Sequence, residues 1–297
     1  MLLFNLRKNN ETKYICMKKL SRLIFIRPFT NMHVGSGKNI NGKVDDQIQR
    51  DVLTGHPIIH STSLKGAFKE LLCDYLPAKE MEVIFGKGDD DSSSGRGQYD
   101  FFNACLLTYP LRSNKIPYFN ATSPQLINDF LRKIDILGVS KDTKLYDALE
   151  KLGSLEIEKN TPMVFDKKLK DAIIEYHYIK SVACDNSLIK SDIQKLLTEF
   201  LGTQLAIFND EDLSLFLKNK LPVIARNYLE NGQSKNVWYE EVVPRESLFY
   251  TAVSSPEGMT VFYDALSNVR QMQIGDNSTV GYGYCKINVQ KRNSWKA

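Results

Sequence analysis

The sequence predicts an α+β fold with a mostly antiparallel sheet. Extended apolar segments and one amphipathic helix occupy roughly the first 110 residues, and a mainly helical region follows over 115–220. After Leu221 the pattern returns to strands, and an Asn-Gly step at 231–232 marks a hairpin turn. Strands and helices in this order, without regular βα alternation, are typical of α+β domains.

The beginning of the chain is not assigned to this fold. Residues 1–16 precede a second methionine, Met17, and are interpreted as an N-terminal extension of unknown role. The first strand contains the apolar run 23–26, which is too short for a signal peptide and far below the roughly 20 residues of a membrane span. We therefore expect a cytoplasmic, unprocessed protein without a membrane segment.

The stretch 33–66 is the most informative part of the sequence. Its glycines at 35, 37, 42 and 55 exclude a regular helix and predict a long ordered loop. A helix is predicted to start near Ser63, because the apolar residues up to Tyr75 have helical spacing, and to end at Pro77. Ser61 or Ser63 is expected to cap its first turn.

A mainly helical insertion is predicted over 115–220, between core segments 17–114 and 221–297. Its helices are expected at 124–137, 143–152, 188–201 and 211–218. The acidic, Ser- and Gly-rich segment 87–100 cannot bury apolar surface and is expected to be a mobile loop. The remaining chain is predicted to form a hairpin at about 222–243, a helix near 261–270, a glycine loop and a last strand.

Composition limits the classes of function. The 297 residues are 42% hydrophobic, enough for a buried core, and a net charge of +4 permits a polyanionic partner without proving one. Five scattered cysteines without a CxxC pair predict reduced thiols rather than zinc ligands or a redox couple. The sequence contains neither the P-loop motif nor the dinucleotide-binding fingerprint.

Glycines, hydroxyl groups and cations predict a phosphate-binding surface. Backbone amides at a helix start attract anions, and glycine lets a phosphate approach the backbone closely. A second glycine loop near the C-terminus would lie beside the first if the first and last strands are neighbours. The alternative is a capped helix with an exposed lysine and two ordinary turns. The candidate residues are Gly35, Ser36, Gly37, Gln49, Arg50, Ser61, Ser63, Lys65, Gly281 and Gly283.

Charged residues in the same stretch are candidates for catalysis. Asp45 and Asp46 form an acidic pair, and His33 can change charge near neutral pH. Such a pair is either simply solvated or, beside a phosphate, binds a metal or positions a ribose 2′-hydroxyl for attack on its own phosphate. The other histidines, which lack partners at ligand spacing, are interpreted as structural or surface residues: His56, His60 and His177.

The predicted hairpin combines aromatic and basic residues. Arg226 and Tyr228 lie on its incoming arm, and Trp238 lies on its outgoing arm. This combination suits the binding of single-stranded nucleic acid, although the aromatic side chains could equally face the core. Glu240 and Glu241 are unexpected on a nucleic-acid face and are either solvated or part of the acidic site.

Five motifs together resemble the RAMP superfamily of CRISPR proteins. They are HVGSG from His33, VDDQIQRD from Val44, STSLKGAFKE from Ser61, WYEEVVPRESLF from Trp238 and IGDNSTVGYG from Ile274. Within the superfamily, the resemblance is to repeated backbone subunits of the type III-B Cmr effector complex, and it covers about residues 20–289. It implies a modified RRM, or ferredoxin-like, palm with a helical insertion and a protruding β-hairpin thumb.

The resemblance also implies an activity. Copies of such a subunit line a CRISPR RNA beside other Cmr subunits, and each cleaves complementary target RNA as a metal-dependent endoribonuclease. The resemblance implies that Asp45 is the catalytic residue and binds a divalent metal, Mg or Mn. His33 and Glu240 match positions that assist cleavage in the family. The chain departs from the usual pattern at three positions, two of which make the C-terminal loop less flexible and less basic: Asn103, Asp276 and Tyr282.

Other functions stay open at this stage. The chain could scaffold RNA without cutting it, or be the related III-A Csm-type backbone subunit, although the WYEEVVPRE segment favours the Cmr type. A phosphate-binding metabolic enzyme is a third alternative that no cofactor motif supports. Since a carboxylate is a weak base at neutral pH, the geometry of a splayed target strand is expected to contribute most to cleavage.

Overall fold

The structure is a computed structural model, and the part of the chain that it describes has several gaps. The described residues are 3–6, 13–16, 19–38, 44–87, 95–175, 180–185, 189–291 and 295. Half of the predicted mobile loop at 87–100, residues 88–94, lies outside them, as do Gly42 and His177. No helix in these ranges is long and apolar enough to cross a membrane.

Strands and helices alternate irregularly along the chain, as an α+β fold requires. The strands are β1 Leu3–Leu6, β2 Lys13–Cys16, β3 Lys19–Pro28, β4 Gly35–Lys38, β5 Asp46–Ile48, β6 Ile58–Ile59, β7 Asp100–Phe101, β8 Ala104–Arg112, β9 Tyr118–Thr122, β10 Met163–Val164, β11 Val182–Ala183, β12 Leu205–Ile207, β13 Val223–Glu230, β14 Gln233–Glu241, β15 Leu248–Pro256, β16 Gln271–Gln273 and β17 Tyr284–Val289. The α-helices are α1 Ser61–Leu72, α2 Ala78–Phe85, α3 Pro124–Leu137, α4 Thr143–Gly153, α5 Ser191–Leu201, α6 Asp210–Asn219 and α7 Val261–Ser267.

The central sheet has the order β11-β10-β12-β9-β8-β15-β3-β17-β16. Strand β3 is antiparallel to both β15 and β17, so the first long strand and the last strand are neighbours, which is the condition for the two glycine loops to lie side by side. The parallel pairs, β10 with β11 and β9 with β12, lie in the part of the sheet contributed by the middle of the chain. The prediction of a mostly antiparallel sheet is thus confirmed.

Two hydrophobic cores lie on opposite faces of this sheet. Successive side chains of a strand point to opposite faces, and in β3 Ile24 and Ile26 join the core that contains residues of α1, α2 and α7. Leu23 and Phe25 join the core that contains residues of α3, α4 and α5. The sheet is therefore covered by helices on both sides.

The helices of the middle region were predicted well, whereas α2 was missed. α3 has the predicted bounds, because Ser123 caps it and Gly138 ends it in a left-handed conformation. The other three middle helices lie within three residues of the predicted bounds. α1 ends at Leu72 rather than at Pro77, and Pro77 instead precedes the short helix α2.

The predicted long loop over 33–66 is partly wrong. Two short strands, β4 and β5, occupy it and pair with each other in antiparallel fashion. Glycine suits this arrangement, because the pairing is irregular between Gly35 and Lys38 and Gly37 has a φ angle of 102°. The region 115–220 is also not purely helical, since β9 and β12 extend the central sheet.

The core on the α3 face should respond strongly to the loss of one ring. Phe130 is fully buried against Phe25, Tyr250 and Trp295, whereas Ile136 on the same helix is 71% exposed. We expect Phe130→Ala to lower the free energy of unfolding by about 3–5 kcal/mol, because a cavity remains. Ile136→Ala should cost no more than about 0.5 kcal/mol. Equal losses in urea denaturation would contradict this arrangement of the core.

Candidate functional site

A second sheet joins the hairpin to the glycine-containing stretch. Its order is β13-β14-β5-β4, with β5 parallel to β14 and Asp46 opposite Glu240. The hairpin turns at Asn231 and Gly232, whose φ angles of 51° and 79° match the turn that an Asn-Gly step favours. The predicted hairpin is confirmed, and its base lies beside the acidic pair.

Asp45 is exposed and is held by the outgoing arm of the hairpin. Its backbone amide donates to the carbonyl of Tyr239 at 3.1 Å, and its Oδ2 accepts the Tyr239 amide at 2.8 Å. Within the described residues, Oδ1 makes no hydrogen bond. Asp45 thus presents one carboxylate oxygen to solvent from a fixed backbone position.

Glu240 lies buried, 4% exposed, at the centre of a polar cluster. Its Oε1 accepts the indole N–H of Trp238 at 2.9 Å, and its Oε2 accepts Nδ2 of Asn277 at 3.1 Å. Nε of Arg226 is 3.6 Å from Oε2, and Nη2 donates to Asn277 at 3.0 Å. The Arg226 guanidinium also lies over the ring of Tyr282. We call these five residues the hairpin brace, because they tie the hairpin to the C-terminal glycine loop.

Glu241 points to the other side of the strand and binds the loop that contains Arg50. Its Oε1 pairs with Nη2 of Arg50 at 2.5 Å, and its Oε2 accepts the amide of Ile48 at 3.3 Å. Nη1 of Arg50 donates to the carbonyls of Gly55 and Leu217, both at 2.8 Å. Three protein partners therefore engage the guanidinium that was predicted to hold phosphate.

His33 is the point at which the two glycine loops meet. It is 4% exposed, and its Nδ1 lies 2.7 Å from the carbonyl of Glu241. Since a carbonyl only accepts, Nδ1 carries the proton and Nε2 of a neutral ring is an acceptor. The His33 carbonyl accepts the amide of Asp276 at 2.9 Å. The ring is therefore buried and hydrogen-bonded, and a role for His33 as acid or base stays a prediction.

The predicted serine cap of α1 is wrong, and Gln49 takes its place. The residue before the helix is His60, and no side chain of its own caps the first turn. Instead, Oε1 of Gln49 accepts the His60 amide at 2.7 Å, and Nε2 donates to Ser63 at 2.9 Å and to the carbonyl of Gly35 at 3.2 Å. Gln49, predicted to bind RNA, thus links the glycine stretch to the helix start.

Positive charge lies along α1. Burial, together with the neighbouring cations Lys69 and Arg96, lowers the pKa of Lys65. The amide of Ser61 donates to Oδ1 of Asn103 at 2.8 Å, so one amide at this helix end has a partner. The N-terminus of α1 and Lys65 in its second turn are favourable for an anion such as phosphate, whereas Lys69 lies in the last turn.

The residues of the two glycine loops that were predicted to bind RNA differ in how much space they leave for a ligand near the backbone. Ser36 donates to the carbonyl of Gln47 at 3.1 Å. Gly37 and Gly281 have positive φ angles, and a Cβ added at either would meet no atom within 4 Å. A Cβ at Gly283 would lie 2.1 Å from a backbone oxygen. Gly37 and Gly281 therefore offer open backbone to a ligand, whereas Gly283 is required by the packing.

Known proteins resemble this chain along most of its length. The family model described as the RAMP superfamily matches residues 25–286. The chain belongs to the RAMP superfamily.

Named relatives place the chain near one kind of RAMP protein. CRISPR system Cmr endoribonuclease Cmr4 of Pyrococcus furiosus is 26% identical over 289 residues, which cover 91% of this chain and 95% of the relative. CRISPR system CMR subunit Cmr4 of Saccharolobus solfataricus is also 26% identical, over 89% of this chain and 94% of its own length. In sequence, this RAMP protein is thus Cmr4-like.

Solved structures agree in fold. A chain in the type III-B Cmr-beta complex bound to cognate target RNA has a TM-score of 0.73 at 24% identity, covering 91% of this chain and 97% of its own. Oligomeric Cmr4 from Pyrococcus furiosus has a TM-score of 0.65 at 22% identity, with coverage of 91% and 97%. The RAMP protein described here therefore has a mixed α+β, Cmr4-like structure.

Only a limited metal site is available to this RAMP protein. Among the described residues, no three His, Cys, Asp or Glu side chains converge as ligands. Asp45 offers one exposed carboxylate oxygen, and Asp276 on the C-terminal loop is also exposed. Mg²⁺ is commonly held by one or two carboxylates, substrate phosphates and water. The site therefore fits a divalent ion only if RNA completes the ligand set.

The structural role of Glu241 and Asn277 was missed at the sequence level. A period-two pattern could have indicated that Glu240 and Glu241 point to opposite sides of a strand. Which partner each finds depends on contacts between residues that are far apart in the chain: Arg50 is 191 residues from Glu241, and Asn277 is 37 from Glu240. No local motif marks such pairs in this RAMP sequence.

The junction of the two loops should tolerate no side chain at Gly275. A Cβ there would lie 2.1 Å from the His33 carbonyl oxygen, whereas a Cβ at Gly281 would meet nothing. Both glycines have positive φ, so alanine at Gly281 should cost only about 1–2 kcal/mol. We expect Gly275→Ala to cost a further 1–3 kcal/mol or so through overlap. Urea denaturation of the two variants measures the difference, and equal costs would contradict the contact.

The hairpin brace should show energetic coupling. Because Asn277 donates directly to Glu240, the losses caused by Glu240→Ala and Asn277→Ala should not add. We expect a coupling of at least about 0.5 kcal/mol in the free energy of unfolding. Asn268, which bonds the carbonyl of Asp264 on α7, provides the control. Additive losses for Glu240 with Asn277, as for Glu240 with Asn268, would rule out the brace.

Proposed function

We propose that the chain is a repeated backbone subunit of a type III-B Cmr effector complex that binds CRISPR RNA and cleaves complementary target RNA. The observation that carries this proposal is the placement of Asp45: exposed, hydrogen-bonded to Tyr239, and at the base of a hairpin with exposed aromatic side chains. Cmr-beta has been seen bound to cognate target RNA, and Cmr4 as an oligomer. These findings on relatives support the proposal.

The order of elements supports a ferredoxin-like palm. β3, α1, β8, β15, α7 and β17 follow one another as strand, helix, strand, strand, helix, strand, with β3 and β15 in the middle of the four strands. This is the split βαβ arrangement. In our proposal the hairpin at about 222–243 is the thumb, 115–220 is the insertion, and residues 1–16 have no assigned role.

Guide RNA binding is assigned to the surface around the first glycine loop. Lys65, with Lys69 and Arg96, supplies positive charge along α1, and Gly37 and Gly281 leave room for a backbone. Tyr228 and Tyr239 on the hairpin are about half exposed and can stack on bases. Gln49, Arg50, Ser63 and Arg226 then act indirectly, by holding the loops and the hairpin in place.

Cleavage is proposed to be a transesterification. The ribose 2′-hydroxyl loses its proton to water as its oxygen attacks the adjacent phosphorus. The bond to the 5′-oxygen of the next nucleotide breaks, that oxygen takes up a proton from water, and a 2′,3′-cyclic phosphate is left. Splaying of the strand by the hairpin brings attacking and leaving oxygens into line, which can contribute several kcal/mol. The carboxylate of Asp45, fixed through Oδ2 by Tyr239, orients the 2′-hydroxyl with its other oxygen.

A divalent ion, Mg or Mn, fits the same place. Asp45 would hold it together with RNA oxygens, and the ion would supply positive charge to the phosphate. His33 and Glu240 are proposed as positioning residues rather than proton carriers, because both are buried and hydrogen-bonded. Other Cmr subunits and further copies of this chain along the guide complete the assembly, in the cytoplasm.

The central test is the replacement of Asp45 in the assembled complex. We expect Asp45→Asn to leave assembly and target binding within about two-fold of wild type, and to reduce the cleavage rate by about 10²-fold or more. The neighbouring Asp46→Asn is the matched control and should retain cleavage. Single-turnover cleavage of labelled target RNA, with filter binding in parallel, measures both.

Two outcomes would contradict the proposal. Continued cutting at the same sites by Asp45→Asn would remove the catalytic assignment. A wild-type complex that binds target but shows no cleavage with Mg²⁺ or Mn²⁺ would make the chain a scaffold that binds RNA without cutting it.

A further inference from the structure

Four segments of the chain meet beside the base of the hairpin and carry most of the net charge of the protein. They are residues 27–29, 112–118, 166–175 and 245–246, which we call the basic band. The band contains seven Lys or Arg residues and four Asp or Glu residues, a net charge of +3 compared with +4 for the whole chain. Positive charge is therefore concentrated on one part of the molecule, where it attracts anions.

The near end of the band adjoins the hairpin and carries two aromatic residues. The amide of Glu246, five residues after the end of β14, donates to the carbonyl of Pro28 at 2.7 Å. The next residue, Phe29, is 44% exposed. Burial and the carboxylate of Glu246 raise the pKa of Tyr118, and the guanidinium of Arg245 opposes that rise. Phe29 and Tyr118 thus lie at the same end of the band as Arg245.

Arg112 joins the two ends of the band. It is paired with Tyr118 across β8 and β9. Its amide and its Nη2 both donate to the carboxylate of Glu175, at 2.6 Å and 2.9 Å. Ala172 and Ile174, in the same segment as Glu175, are fully buried in the core that also contains residues of α1. The segment 166–175 is therefore fixed against the rest of the domain.

The far end of the band presents three lysines from a fixed backbone. Nζ of Lys115 donates to the carbonyl of Lys170 at 2.5 Å, and Oδ1 of Asp166 accepts the amide of Lys168 at 2.9 Å. Lys167, Lys168 and Lys170 are exposed. Within the described part of the chain, their ammonium groups have neither a hydrogen-bond nor an ion-pair partner. Three charges are therefore available to a ligand.

The combination of cations and exposed rings selects the kind of partner. Proteins that bind single-stranded nucleic acid combine a positively charged track with aromatic side chains on which bases stack. An acidic protein segment would satisfy the lysines but has no bases to stack on Phe29 and Tyr118. Single-stranded RNA supplies a phosphate and a flat base in every nucleotide, so it can use both parts of the band.

The band is separate from the surface assigned to the guide. Asn103, which accepts the first amide of α1, directly precedes β8, and Arg112 is the last residue of that strand. Nine residues of strand span about 30 Å. The start of α1 and the band thus lie toward different ends of β8, which leaves the band to the other strand of RNA.

We propose that the basic band binds the target RNA strand where it is unpaired, with bases on Phe29 and Tyr118 and phosphates on Lys167, Lys168 and Lys170. The inference rests on the RNA binding of the proposed function. It does not depend on cleavage at Asp45.

The salt dependence of target binding by the guide-loaded complex tests the charges. A single strand contributes a slope of about 0.7 in log K against log salt for each phosphate contact. We expect the triple variant Lys167→Gln, Lys168→Gln and Lys170→Gln to reduce the magnitude of that slope by about 2 for each copy that contacts the strand. Filter binding in EDTA, over a range of salt concentrations, measures it.

A second triple variant provides the matched control. Lys144, Lys151 and Lys190 are exposed lysines on α4 and just before α5, and their neighbours join the core on the other face of the sheet. Their replacement by Gln removes the same charge and should leave the slope unchanged.

The aromatic part of the band has its own test. Phe29→Ala should weaken target binding by about 5- to 150-fold, the range for the loss of one stacked base. It should leave the salt slope unchanged, because no charge is removed.

The outcomes separate this inference from the proposed function. Equal slopes for the wild type and the Lys167–Lys168–Lys170 variant would overturn the inference alone, whereas a wild-type complex that fails to bind target would overturn both. Reduced loading of guide RNA by that variant would assign the band to the guide and overturn the inference. Polyglutamate that displaces target as effectively as unlabelled RNA would also overturn it, in favour of an acidic protein partner.

Discussion

The arrangement of the site depends on two neighbouring glutamates at the base of the hairpin. Glu240 and Glu241 are both buried, and because they are adjacent in a strand they point to opposite sides. A buried carboxylate is costly unless it is paired and hydrogen-bonded. Glu240 meets that requirement through the hairpin brace, and Glu241 through Arg50 and the amide of Ile48. One strand thereby fixes both glycine loops relative to the hairpin.

This constraint explains why the exposed carboxylate is in a defined place. β5 pairs with β14 beside Glu240, and the preceding residue, Asp45, is hydrogen-bonded to Tyr239. Loop residues are ordinarily the most mobile part of a domain. Here Asp45 takes its position from the hairpin, so in our proposal an RNA strand splayed by the hairpin meets Asp45 at a fixed offset. In the same proposal, residues that hold the hairpin in place, such as Asn277, can affect cleavage.

Local signals predicted much of the fold. Ser123 and Gly138 bound α3, and Asn231 with Gly232 set the hairpin turn, because these residues favour particular backbone conformations wherever they occur. The charged and polar residues of the site were chosen correctly by type but often not by role. Gln49 caps α1 from twelve residues before the helix, and Arg50 pairs with a glutamate 191 residues away. Such partners are set by tertiary contacts that a single sequence does not display.

The hairpin, both glycine loops and Asp45 lie together in the structure. The most direct test of the proposed role of Asp45 is a structure of the chain assembled on guide RNA with a complementary target strand. We expect the Asp45 carboxylate to lie within about 3 Å of the 2′-oxygen at the splayed linkage, or one metal ion away from the phosphate, with its Tyr239 hydrogen bonds intact. A structure in which Asp45 faces away from the target strand, or has separated from the hairpin, would contradict this interpretation.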